Sequence, residues 1–210
     1  MRRLLLATTN PHKLREIRGL LAEAPVEIIG LDAVPGVPEP EETGETFDAN
    51  ARLKALYYAS ALSSGAGAAL RQAGADTIDL TVAEDSGLVV DALDGEPGVR
   101  SARFIRPDAS YPERFREIFR RLDAFPQRPR TARFVCAVAV ARDNAIAFET
   151  TGTVEGEIAR EARGSAGFGY DPIFYYPPYG STLAEVTEEE KLRVAHRGKA
   201  FRSLAMWLEK

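Results

Sequence analysis

Four short segments hold the residue types that handle phosphate, a hard cation or a purine. The first is Ala7-Thr8-Thr9-Asn10-Pro11-His12-Lys13, which ends an apolar run and opens a helical pattern. Two hydroxyls, an amide and an ammonium meet there at a helix N-terminus. Backbone N–H groups at such an end lack intrahelical partners and the dipole favours negative charge, so the segment suits an anion. The glycine-rich G-x-x-x-x-G-K phosphate loop is absent. A plain Thr/Asn cap of the helix explains the same residues.

The second segment is Glu41-Glu42-Thr43-Gly44, followed by Asn50 and Lys54. Asn50 and Lys54 lie four apart, so one helix face aims both at one ligand. The loop carboxylates could hold a hard cation; the alternative is a solvated loop and a surface pair. The third is Glu84-Asp85-Ser86-Gly87, placed directly after an apolar strand. Two adjacent carboxylates there are costly unless they meet a metal or a cation. Oxygen ligands suit Mg²⁺, which bridges carboxylates to substrate phosphates, and one carboxylate can act as general base toward water. An Asp-Ser-Gly turn is the alternative.

The fourth is Gly167-Phe168-Gly169-Tyr170-Asp171-Pro172-Ile173-Phe174, with Lys191 and His196-Arg197 downstream. Aromatic faces stack on bases at about 1–3 kcal/mol each. Asp171 can accept from a purine N–H, and Arg197 offers a planar fork to an oxygen at purine C6. The competing reading is a tight turn whose rings pack as core, weightiest for Phe174.

These segments need a scaffold, and the pattern supplies one. Residues 2–7 and 26–31 read as strands. Leu14, Ile17, Leu20 and Leu21 recur at helical spacing, predicting a helix over 11–23. A helix is expected over 46–62, strands over 78–83 and 88–91, and an amphipathic helix over 111–122. Residues 132–141 and 145–154 read as a hairpin around Arg142-Asp143-Asn144. Residues 164–180 read as loop, and two helices fall within 182–209. The Gly/Ala-rich run at 63–75 reads as a surface excursion. Mixed strands and helices predict an α/β fold with a mixed sheet.

The chain has 210 residues, 28% of them charged, and a net charge of −4. That describes one domain of ordinary globular composition. No stretch approaches the ~20 apolar residues of a membrane span. The short apolar start is too brief for a signal peptide. The single Cys136 lies in an apolar run, which fits a reducing cytoplasm. One Cys and two His are too few for a common zinc set. Positive charge is carried by 22 Arg and only five Lys, at 13, 54, 191, 199 and 210. Sparse lysines either mark places for a compact ammonium or fall where they do by chance. Residues 100–133 hold ten Arg against four acids, a possible basic face, but the net charge argues against nucleic-acid binding.

Taken in order, the four segments resemble the inosine triphosphate pyrophosphatase family, the dITP/XTP pyrophosphatases, across almost the whole chain. The matching residues include Thr8-Thr9-Asn10 with Lys13 and Glu16, Glu42-Thr43-Gly44 with Asn50 and Lys54, and Glu84-Asp85-Ser86-Gly87-Leu88. Gly167 to Phe174, Glu190-Lys191 and His196-Arg197 complete the match. The resemblance implies an elongated mixed sheet with flanking helices, forming two lobes of one domain around a central active-site cleft. It also implies a homodimer, Mg²⁺, and hydrolysis of ITP, dITP or XTP between the α and β phosphates. Mapped onto this chain, Thr8, Thr9, Asn10, Lys13, Asn50 and Lys54 hold the triphosphate. Glu41 and Asp85 share the metal, Asp85 is the general base, and Ser86 touches substrate. Phe168, Gly169, Tyr170, Asp171, Lys191, His196 and Arg197 form the base pocket. Lys13→Ala is then expected to depress kcat/KM with little effect on stability. The chain departs from the family in Ala195, where Ser often precedes His-Arg, and in Glu84, where Asp is usual. A related septum-inhibitor family acting on modified nucleotides is the rival enzyme reading; the Gly-Phe-Gly-Tyr-Asp-Pro and His-Arg blocks disfavour it.

Overall fold

The structure, a computed structural model, describes residues 1–34, 36–63 and 78–210. The expected excursion at 63–75 lies outside the described residues beyond Ser63. The chain forms two compact units, each assembled from separated segments. The first comprises residues 1–85, 136–151 and 197–210, and the second residues 86–135 and 152–196. Seven strands, β1 (2–6), β2 (26–30), β3 (80–90), β4 (131–142), β5 (145–158), β6 (174–176) and β7 (181–182), follow the order β2-β1-β3-β4-β5-β6-β7, and parallel and antiparallel pairs both occur. The α/β class with a mixed sheet is as the sequence indicates.

In the first unit, β1 (Arg2–Leu6) pairs in parallel with β2 (Val26–Gly30) and with β3 (Leu80–Val90). Leu4, Leu5 and Leu6 are all fully buried, as a strand covered on both faces requires. Between β1 and β2 runs α1 (Pro11–Leu20), whose first residue is a proline with φ preset for the helix. It stops three residues short of the expected end. Pro25 bars helical backbone at Ala24, and the chain has already turned by Leu21. Helix α2 (Phe47–Ser63) is capped by the Thr46 hydroxyl, which accepts from the Ala49 N–H at 3.1 Å. Its buried face carries Phe47, Asn50, Ala51, Lys54, Ala55, Tyr58 and Ala59 at helical spacing. Two polar side chains thus lie on a stripe that should be apolar. Leu4, Leu6, Ile17, Val82, Val138, Phe201 and Leu204 form this unit's core.

In the second unit, α3 (Tyr111–Asp123) opens with a Ser110/Glu113 capping box and buries Arg114, Phe115, Ile118 and Leu122. Those apolar side chains pack with Leu88, Phe134, Val154, Ile173 and Phe174. Short β6 (Phe174–Tyr176) interrupts what reads as loop over 164–180, and β7 (Ser181–Thr182) follows directly after it. A Thr187/Glu190 capping box opens α4 (Glu188–Val194), and α5 (His196–Leu208) ends the fold.

Strands β4 (Thr131–Arg142) and β5 (Ala145–Ile158) are joined by Asp143 and Asn144, both with positive φ, 51° and 60°. That is a two-residue type I′ turn, and the hairpin stands where the sequence places it. Strand β3 corrects the sequence reading. Glu84-Asp85-Ser86-Gly87 is neither a turn nor a strand end, but the middle of one continuous strand. Among the described residues no helix is long and apolar enough to cross a membrane.

Candidate active site

The first unit gathers a cluster of opposed charges around β3. Successive strand side chains face opposite ways, so the adjacent carboxylates Glu84 and Asp85 meet different partners. Glu84 forms an ion pair with Lys13 from α1 and lies 3.6 Å from the Arg197 guanidinium of α5. The Cys136 thiol donates to its Oε2 at 3.3 Å. Asp85 accepts from Asn50 Nδ2 at 3.0 Å and lies 3.7 Å from Lys54 Nζ. Lys54 also donates to Glu42 Oε1 at 2.6 Å. Asn50 is wholly buried and works twice, because its Oδ1 also accepts the Gly44 N–H at 2.8 Å. A Cβ at Gly44 would come within 2.6 Å of that oxygen, so the loop can approach only as glycine.

The electrostatics separate the two acids. Burial raises the pKa of Glu84, but Lys13 and Arg197 overcome it and hold the carboxyl well below its usual range. Burial raises Asp85 as well; Lys54 opposes the rise, the nearby Glu42 charge adds to it, and the net shift is upward. Burial lowers Lys54, yet Asp85 and Glu42 outweigh it and keep the ammonium charged. Glu84 is therefore a fixed anion, while Asp85 is the carboxylate closer to proton exchange.

Several sequence assignments need restating. Asn10 is the N-cap of α1, and its Oδ1 accepts from the N–H groups of His12 and Lys13 at 2.9 and 3.3 Å. Those two N–H groups are thus engaged by the cap rather than open to an anion. The Thr8 hydroxyl accepts from the Asn10 N–H at 3.2 Å, and Thr9 is exposed beside it. Glu41 is exposed, and it is its neighbour Glu42 that meets Lys54. The carboxylate pair at this place is accordingly Glu42 and Asp85, one position away from the sequence assignment. Lys13 neutralises the buried Glu84, so Lys13→Ala is expected to cost stability as well as activity. Arg197 is 2% exposed and donates to Glu16 Oε2 at 2.7 Å. Its guanidinium is paired with two buried carboxylates of this unit, Glu16 and Glu84, rather than open as the planar fork expected from sequence. In the sequence Glu16 stands out only through the family resemblance; its signal is a carboxylate next to Ile17 on the buried face of α1.

The chemistry of the donors bears on a metal. Glu42 and Asp85 are hard oxygen donors close enough to repel one another, a repulsion that a divalent cation relieves. Among the described residues no three His, Cys, Asp or Glu side chains gather to hold a metal. Mg²⁺ needs only one or two carboxylates, taking its remaining ligands from water and phosphate. The residues present fit Mg²⁺ on those terms.

The second unit holds the aromatic segment. Asp171 Oδ2 accepts the Phe168 N–H at 2.8 Å and pairs with Lys191 Nζ at 2.6 Å, both side chains being 3% exposed. The Lys191 ammonium also stands 4.7 Å from the Phe168 ring centroid. Phe168 remains half-buried, so one pinned ring keeps some accessible surface. Gly167 has φ +70°, and a Cβ there would lie 2.2 Å from Asp171 Oδ2. Glycine is what allows the loop to fold over this ion pair. Gly169 likewise takes positive φ, 68°. Tyr170 differs from Phe168: it is buried, its hydroxyl donates to the Ser101 carbonyl at 2.9 Å, and its ring packs in the core. It braces the loop instead of facing a base. His196 is buried and stacked on Phe134, ring centroids 4.9 Å apart. Ser86 is half-buried. Ala195 is the one extended residue separating α4 from α5, where the family's serine would stand. The arginines of 100–133 do not make a bare basic face: Arg106, Arg120, Arg121 and Arg133 pair with Glu113, Glu117, Glu96, Asp91 and Glu155.

Comparison with known proteins agrees with the resemblance. The Ham1 family profile matches residues 4–207. A dITP/XTP pyrophosphatase of Symbiobacterium thermophilum is 44% identical over 209 residues, covering 100% of this chain and 94% of that protein. One from Geobacillus kaustophilus is 42% identical, covering 97% of this chain and 93% of that protein. Among solved structures, a HAM1 protein from Coxiella burnetii aligns with a TM-score of 0.85 at 36% identity, covering 100% of this chain and 99% of that one. The Staphylococcus aureus Ham1 protein aligns with a TM-score of 0.83 at 33% identity, covering 99% and 98%. Profile, sequence relatives and solved structures thus agree over essentially the full length, and the chain belongs to the Ham1 family.

Proposed function

We propose that this protein hydrolyses deaminated purine nucleoside triphosphates, ITP, dITP and XTP, to the monophosphate and pyrophosphate. The observation that carries the reading is the pair of buried carboxylates on β3, each set against its own cations. A purely structural strand has no use for two adjacent buried acids. Residues of the first unit take the triphosphate: Thr8, Thr9 and Asn10 at the head of α1, with Lys13 and Lys54 offsetting the phosphate charge. The pinned Phe168 ring is the stacking surface for the base, with Asp171 and Lys191 beside it, and the family resemblance adds His196. The removal of such nucleotides keeps them out of DNA and RNA.

Glu42 and Asp85 would hold Mg²⁺, which supplies charge neutralisation for the phosphates when bound. Asp85 accepts the proton of the attacking water, its position fixed by Asn50 and Lys54. The water oxygen bonds to the α phosphorus, the bridge to the β phosphate breaks, and pyrophosphate leaves with its charge facing Lys13 and Lys54. Positioning and charge stabilisation suffice, without a covalent intermediate. We further propose a homodimer, from the family resemblance, and a cytoplasmic location, which the buried free thiol of Cys136 suits.

Product identity tests this reading. Incubation with ITP and Mg²⁺ should yield IMP and pyrophosphate in equal amounts. IDP with inorganic phosphate would contradict it, because cleavage would then be at the γ phosphorus.

A further inference from the structure

The second unit contains a buried charge that the reaction does not use. Arg114 sits on the inner face of α3, where Phe115, Ile118 and Leu122 are apolar, and is 4% exposed. Its buried Nε has no hydrogen-bond partner. An arginine left in that state costs free energy that a leucine or methionine would not. Its other contacts show what it holds. One terminal nitrogen donates to the Pro107 carbonyl at 3.2 Å. The guanidinium lies 4.9 Å from the Tyr111 ring centroid, one helical turn back. Tyr111 in turn meets Tyr170 edge-on, centroids 5.3 Å apart and planes at 89°. The Tyr111 hydroxyl also flanks Gly169, lying 3.6 Å from where a Cβ at that glycine would be.

A continuous series of contacts therefore runs from Arg114 through Tyr111 to Tyr170 and Gly169. Those two residues separate Phe168 from Asp171. Gly167 and Gly169 both have positive φ, so the loop's own backbone restrains it weakly. Rigidity must come from neighbours, and α3 supplies it through these aromatic contacts.

We infer that Arg114 is a positioning residue for base selection: acting through Tyr111 and Tyr170, it fixes the 167–171 loop and so the orientation of Phe168 and Asp171, without touching the base. The inference rests on the proposed function, since selection by this loop has meaning only if the loop reads a base. A residue of this kind shifts KM and the preference among bases while leaving the phosphate chemistry at Asp85 alone.

The test measures kcat and KM for ITP and GTP with Mg²⁺ for the full-length wild type, Arg114→Met, Arg114→Lys and Tyr111→Leu. Arg114→Met keeps the aliphatic stem and removes the charge. It should raise KM for ITP about 5- to 10-fold, keep kcat within about 2-fold, and lower the ITP-to-GTP preference by a similar factor. Arg114→Lys restores a cation over the Tyr111 ring and should recover much of the loss, and Tyr111→Leu should resemble Arg114→Met. A merely structural role would lower the melting temperature or the active fraction with KM and preference unchanged, and that result overturns the inference. If Arg114→Met does not fold, wild-type KM and preference in both Arg114→Lys and Tyr111→Leu overturn it equally. A wild type that turns over neither ITP nor GTP refutes the proposed function instead, whereas a selective wild type with an indifferent Arg114→Met refutes this inference alone.

Discussion

Replacing Glu84 by Gln keeps its shape and removes its charge. In the folded protein Glu84 is buried against Lys13, with the Arg197 guanidinium at 3.6 Å. Two unit charges at that separation interact by about 4–5 kcal/mol at an effective dielectric constant near 20. Breaking a buried pair by neutralising one partner costs about 3–5 kcal/mol, since the other charge stays behind. A domain is stable by about 5–15 kcal/mol in total, so the loss is a large share. At this chain length each kcal/mol moves Tm by about 2–4 °C, giving an expected drop of about 6–20 °C. Because the surrounding cations hold the carboxyl well below its usual pKa, the charge is fully present at neutral pH, where the comparison belongs. The assay is urea unfolding of wild type, Glu84→Gln, Arg197→Met and the double variant, with calorimetry for Tm. The two single losses should be far from additive, as expected for residues in contact. A loss under about 1 kcal/mol for Glu84→Gln, or additive singles, would refute the view that Glu84 is the fixed counter-anion of this cluster.

Further expectations follow from the same geometry. Asn50→Ala removes the acceptor for the Gly44 N–H and the donor to Asp85, and should cost about 1–3 kcal/mol in urea unfolding; an unchanged midpoint would show that neither contact matters. Phe168→Ala removes the stacking ring and should weaken ITP binding by about 1–3 kcal/mol, read as a raised KM with Tm held; an unchanged KM would place the base elsewhere. Arg106 and the Ser110 cap hold Glu113 at about 2, and Arg120 with Arg121 holds Glu117 at about 2, both below the usual 4.5. Because the folded-state values are the lower ones, the stabilisation is complete above about pH 4.5 and is lost as pH falls toward 2. The fall of Tm across that window should be shallower in Glu113→Gln/Glu117→Gln than in wild type, and equal slopes would contradict it.

The elements that sequence showed well were those with local signals. Apolar β1, the amphipathic helix over 111–122 and the hairpin around Asp143-Asn144 carry such signals, and each stands where expected. What sequence misplaced depended on partners far along the chain. Glu84-Asp85-Ser86-Gly87 has turn-like composition and reads as a break, yet Lys13, Arg197, Asn50 and Lys54 neutralise it and let β3 run through. Choosing between Glu41 and Glu42 depends on where one loop meets Lys54, which spacing to a glycine does not fix. Tyr170 and Phe168 flank the same glycine, but only the packing of α3 beneath the loop shows that Tyr170 is core while Phe168 keeps accessible surface. Arg197 reads as a base-binding fork until Glu16, 181 positions away, is found beside it.

The most direct test is pyrophosphate release from ITP, XTP, GTP and ATP with Mg²⁺, by wild type and by Asp85→Asn. The account predicts fast turnover of ITP and XTP, slow turnover of GTP and ATP, and loss of activity on ITP and XTP in the variant. Equal turnover of all four, or an Asp85→Asn chain as active as wild type, would contradict it.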